Sequence, residues 1–151
     1  MNAHFPGPAL EPRTQAFVDS LGGAPIYTLT PDAARAEFAS AQNIPVPKPD
    51  AIIEDMTFPV GPTGSVEVRI VRPPSAQGLL PVVFHLHGGG WILGDKNTHD
   101  RLTRELAVGA NAAVVFVDYV RSPEARYPTA IEQSYATILH AIEHAQELRL
   151  D

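Results

Sequence analysis

Between residues 52 and 71 apolar and polar side chains alternate; beyond residue 80 the alternation gives way to continuous apolar runs. Alternation with period two is the mark of strands with one buried face. It predicts a strand over 52–59, a turn at Gly61-Pro62-Thr63-Gly64 and a second strand over 65–71. That second strand puts Val66, Val68 and Ile70 on one face and Glu67 and Arg69 on the other. The pair reads as an antiparallel hairpin. The runs at 80–86 and 112–117 are short and almost wholly apolar, as expected of strands covered on both faces. Between them, 100–108 predicts a helix, with Thr98 as a candidate cap. Pro128 opens a long predicted helix reaching about residue 148. Its apolar stripe is Ile131, Tyr135, Ile138, Ile142 and Ala145 at helical spacing, with Glu132, His140, Glu143 and Glu147 off the stripe.

The first fifty residues carry different signals. Residues 1–13 are proline-rich and read as irregular, and 14–21 as a short helix ended by Gly22-Gly23. Thr30-Pro31-Asp32 is a helix start: a hydroxyl cap, proline at the first helical position and an acid in the positive first turn. Helix is expected to Gln42, and the prolines of 44–50 then impose an extended connector. The chain therefore divides into an N-terminal helical segment with linker, 1–50, and an α/β core, 51–151. The core order is β-β-β-α-β-α, with a right-handed β-α-β crossover and a last helix that should return to another strand. On this reading the 112–117 run is an interior strand short of one neighbour, so the chain alone is expected to fold poorly or to associate, with a second copy or a complementing fragment.

Composition narrows the classes. Eleven basic against seventeen acidic residues give a net charge of −6, with no lysine or arginine cluster, which argues against a nucleic-acid partner. There are no cysteines, so disulfides and thiolate metal sites are excluded. No apolar run approaches the ~20 residues of a membrane span. The start of the chain has no apolar signal region, from which a cytoplasmic location is expected. The fifteen prolines sit mostly in connectors.

The chemistry is concentrated at His87-Gly88-Gly89-Gly90-Trp91, directly after the run at 80–86. Three successive glycines let the backbone take otherwise strained dihedrals and approach a ligand closely, with N–H groups turned toward an anion. His85 and His87 lie two apart on one strand face, and a metal pair is conceivable there, but structural histidines are the better reading because no third ligand is evident. His140 and His144 lack the arrangement of a zinc-protease helix and read as a solvated face. None of the serines, Ser122 included, sits in a G-x-S-x-G context.

Three segments together resemble the hormone-sensitive-lipase-like esterases of the α/β-hydrolase fold: His87-Gly88-Gly89-Gly90-Trp91-Ile92-Leu93-Gly94, Thr98-His99-Asp100-Arg101-Leu102, and Val117-Asp118-Tyr119-Val120-Arg121-Ser122-Pro123-Glu124. The family's version of the third runs Asp-Tyr-Arg-Leu-Ala-Pro-Glu; Asp118, Tyr119, Pro123 and Glu124 match, and Val120, Arg121 and Ser122 depart. The resemblance covers only the first half of the family's domain. It implies hydrolysis of small carboxylic esters by a serine nucleophile, without metal or organic cofactor, and N-terminal helices that cap the site. It makes Gly88, Gly89 and Gly90 the oxyanion loop, with Gly89 and Gly90 the likelier donors. It makes His87 a loop-shaping residue, and Asp118, Tyr119 and Glu124 bracing residues behind the site. Trp91 would border the substrate, with packing into the core as the equal alternative. The nucleophile, acid and base of the triad would all follow residue 151, so these 151 residues alone are expected to be inactive. A ligand-binding member without catalysis, or an inactive truncated fragment, is the alternative.

Overall fold

The computed structural model describes residues 10–20 and 22–151. The expectations for residues 1–9 and Leu21 lie outside the described residues. In chain order the elements are helix α1 (Pro12–Ser20), a 3-10 turn (Ile26–Thr28), helix α2 (Pro31–Gln42), strands β1 (Ile52–Phe58), β2 (Val66–Arg72) and β3 (Val82–Leu86), helix α3 (Asp100–Ala110), strand β4 (Ala113–Asp118) and helix α4 (Thr129–Glu143). The fold is α/β, as the pattern implied.

The four strands form one mixed sheet in the order β1-β2-β4-β3. β1 and β2 make the expected hairpin, with Met56 opposite Val68. β2 runs antiparallel to β4, and β3 runs parallel to β4 with Phe84 beside Val115. A parallel pair needs a crossover, and α3 supplies it. Every residue from Ala113 to Val117 is buried. Burying one such valine contributes about 1.5–3 kcal/mol, so β4 is the energetic centre of the sheet. One face packs Val68, Ile70, Val115 and Val117 against Ala141, Leu148 and Leu150. The other packs Val71 and Val114 against Ala107 of α3.

α2 starts as expected: the Thr30 hydroxyl accepts from the Ala33 N–H. Other expectations need correction. α1 begins two residues early, because the Glu11 carboxylate accepts the N–H groups of Arg13 and Thr14. Thr98 does not cap α3; its hydroxyl accepts the Asp95 N–H in a tight turn, and His99 takes the cap position without a side-chain bond. β3 is not covered on both faces: Val83 and Leu86 are exposed. β4, expected to lack a neighbour, is paired on both sides; the edges of the sheet are β1 and, beside β4, β3. At the start of the β3 edge Leu150 pairs in parallel with Leu80.

The last helix departs most. It stops at Glu143, and the chain then turns, with Arg149 left-handed at φ 54°, so that Leu148 and Leu150 enter the core. The face turned to the sheet is Gln133, Ser134, Thr137 and Ala141, while Ile131, Tyr135 and Ile142 are exposed. Helical spacing was right, but the buried side is the polar and small one. Gln133 explains part of this: it is fully buried, accepts the Val120 N–H at 2.8 Å and donates to Thr63 Oγ1 at 2.7 Å. His140 is not on a solvated face either, since its ring packs 4.5 Å from Phe58 and 4.0 Å from His144.

Candidate functional site

β3 and β4 are parallel neighbours, so the loops leaving them, 87–99 and 119–128, emerge at the same end of the sheet. The carboxyl ends of parallel strands are where open α/β sheets hold ligands. Two adjoining cavities lie there, of about 270 and 500 Å³. The smaller is bounded by Trp91, Ile92, Val120, Ser122 and Tyr127; the larger by Leu86, His87, Tyr119, Tyr135 and Ile138. Gly90, Trp91, Ala130 and Ile131 line both.

The glycine loop is built around two positions that refuse a side chain. Gly89 has φ +121°, and a Cβ there would collide with the Leu93 carbonyl, which is close because the Leu93 N–H closes the loop on Gly89 O at 2.9 Å. Gly94 has φ +87°, and a Cβ would stand 2.7 Å from His87 Nδ1 and 2.8 Å from Gly88 O. Gly90 is left-handed too, at φ +63°, but in open space. The amides of Gly88, Gly89 and Gly90 donate to no acceptor among the described residues. Unsatisfied amides beside an apolar cleft are suited to an anionic oxygen.

His87 is buried beneath the loop. Its ring stacks on Tyr119 at 4.2 Å, and Nδ1 lies 2.8 Å from Gly88 O, the contact of an Nδ1–H donor. Tyr119 donates its hydroxyl to the His87 carbonyl at 2.7 Å. His85, His87 and His99 have ring centroids 5.3–5.7 Å apart where they meet, all against Phe116. Burial pushes the imidazoles of His85 and His87 below their usual range, with His99 adding to it. The metal-pair idea gains no third ligand: no group of three metal-binding side chains is arranged around an ion site among the described residues.

Trp91 is more than half exposed and left-handed, φ 59°, unusual for a bulky residue. Its carbonyl accepts the Ser122 N–H at 2.8 Å, which ties the glycine loop to the loop after β4. Asp118 is half-buried, and desolvation raises its pKa, helped by Asp95 nearby. Glu124 lies away from the cleft and takes a two-pronged ion pair from Arg35, 2.7 Å on each arm. That pair holds the Glu124 carboxyl at about 2. The hydroxyls of Ser122 and Ser134 donate to the Ala125 and Ala130 carbonyls, and no serine meets a histidine ring among the described residues.

Arg35, His99 and Gly94 escaped the sequence reading. Arg35 joins partners 57 to 89 residues away, a distance no local pattern encodes. Gly94 and His99 belong to motif segments, but their close approach to His87 exists only in the folded loop.

Comparison with known proteins places the geometry. The α/β-hydrolase fold family matches residues 83–151. An α/β hydrolase of Acanthamoeba polyphaga mimivirus is 36% identical over 143 residues, which are 94% of this chain and 40% of that protein. A carboxylesterase of Mycobacterium tuberculosis is 41% identical over 117 residues, 78% of this chain and 37% of that one. The crystal structure of a thermostable esterase from Pseudomonas putida superimposes with a TM-score of 0.88 at 42% identity, covering 97% of this chain and 47% of that one. The chain thus spans less than half the length of these relatives.

Proposed function

We propose, from the premise that residues 83–151 belong to the α/β-hydrolase family, that the complete protein is a carboxylic-ester hydrolase and that this chain contributes its oxyanion loop. The observation that carries the reading is the run of three glycine amides at the carboxyl end of β3 that find no acceptor among the described residues. Two such donors, from Gly89 and Gly90, would hold the oxygen of a tetrahedral intermediate. One donor of this kind is worth about 2.7–4 kcal/mol of transition-state stabilisation. The cleft beside it, with Trp91 as a shared wall, receives the apolar part of a small ester. His87, Tyr119, Asp118 and Glu124 shape and brace the two loops, and the helices of residues 1–50 form part of the cap.

The nucleophile comes from an elbow serine that this chain does not contain. A serine attacks the ester carbonyl with a histidine as base, and water then releases the acyl group. The 151 residues alone are therefore non-catalytic. Assay of the purified chain with a short-chain aryl ester should show background rates. Supplying the elbow-bearing half of a related esterase should restore turnover that a serine-directed phosphonate abolishes. Phosphonate-sensitive hydrolysis by the chain alone would place the nucleophile among its own serines and overturn this assignment.

A further inference from the structure

We propose that Arg35 is a positioning residue through which helix α2 fixes the glycine loop and the loop after β4 in one arrangement. The side chain is 17% exposed and spends its donors on three residues of two loops. Nε donates to the Ile92 carbonyl at 2.9 Å, and Nη2 to the Ser122 carbonyl at 2.8 Å. Nη1 and Nη2 each hold one oxygen of Glu124 at 2.7 Å. Ile92 and Ser122 are walls of the smaller cavity. The same two loops are tied directly by Ser122 N–H to Trp91 O.

α2 has little else to hold it. Ala34 is its one buried residue, and the Phe38 ring lies 6.5 Å from that of His99. Arg35 is thus both the main polar anchor of α2 and the bracket that sets Ile92 against Ser122. The planar guanidinium serves both roles because its donors point in fixed, divergent directions, which a lysine ammonium on a flexible stem does not reproduce. Displacing α2 removes donors from both loops together. The position of the N-terminal helix and the shape of the cleft are therefore linked, whichever chemistry the cleft performs.

Hydrogen exchange on the full chain tests this, with Arg35→Met, Arg35→Lys and Glu124→Gln. Arg101→Met, which breaks an exposed ion pair within α3, is the control. Arg35→Met should speed amide exchange at least tenfold in residues 89–94 and 119–125, with β4 unchanged and the cooperative melt retained. Glu124→Gln should do less, because the two carbonyl bonds survive. Fluorescence of Trp91, the sole tryptophan, should shift with Arg35→Met and stay constant in the control. Unchanged exchange in both loops of a folded Arg35→Met protein overturns the proposal. So does faster exchange spread evenly into β4, which would make Arg35 a general stabiliser. Full protection in Arg35→Lys would show that charge suffices and would also overturn it.

Discussion

Tyr119 holds His87 twice: its ring stacks at 4.2 Å with the planes 3° apart, and its hydroxyl donates to the His87 carbonyl at 2.7 Å. One side chain from the end of β4 thereby fixes the residue that begins the glycine loop after β3.

Removing the hydroxyl separates these contributions. Tyr119→Phe keeps the stack and leaves the carbonyl short of a donor. It should cost about 1 kcal/mol, read from urea denaturation. Tyr119→Ala also empties a buried site and should cost about 3–5 kcal/mol. Equal costs for the two would mean that the ring contributes nothing.

The loop glycines are expected to differ sharply. Gly90→Ala meets open space and bears only left-handed strain, about 1–2 kcal/mol. Gly94→Ala adds a collision with His87 and the Gly88 carbonyl, and should lose more than Gly90→Ala in a paired thermal melt. Gly94→Ala at or below the cost of Gly90→Ala would show that the loop relaxes freely.

In a complete, active protein, Gly89→Pro should abolish turnover, because proline removes the N–H donor and cannot adopt the φ of +121° that the loop has there. Circular dichroism must match the parent. Retained kcat in a folded variant would remove Gly89 from the donor set.

Acid should destabilise the chain through its histidines. Burial lowers the pKa of His85, His87 and His140 in the folded state. The unfolded chain then binds more protons just below pH 6.5, so stability is complete above that value and falls as pH drops through it toward the folded values. Each group contributes at most about 1.4 kcal/mol per pH unit. Glu124 acts only lower, between about 4.5 and about 2, with its stabilisation lost as pH falls. Asp118, whose folded pKa is raised, works in the opposite sense above pH 3.8. Urea midpoints at pH 8, 6.5 and 5.5 should decline; a flat series would contradict the burial argument.

The chain should also self-associate, through the free edge of β3 and the exposed Leu86, Tyr135 and Ile142. Leu86→Lys with Ile142→Lys should shift sedimentation equilibrium toward monomer and reduce binding of an apolar dye. A sharp monomer with a cooperative melt and no dye binding in the parent would refute this.

Much of the fold is local and was legible. Alternation set the β1–β2 hairpin, unbroken apolar sequence set β4, and Thr30-Pro31-Asp32 set the start of α2, because each depends on neighbours within a few residues. The glycine run after β3 marked the site for the same reason: a backbone needing positive φ and close approach must be written as glycine. Three things were decided only in the tertiary structure. Sheet order made β3 an edge and β4 an interior strand, since strand order follows from how crossovers pack and not from any one strand's apolarity. The buried face of α4 carries Gln133, whose bonds to Val120 and Thr63 across the fold help set it, while hydrophobic spacing pointed to the other side. The bracket of Arg35 on Ile92, Ser122 and Glu124 joins segments far apart in sequence, and only the folded chain brings those carbonyls and that carboxylate within reach of one guanidinium.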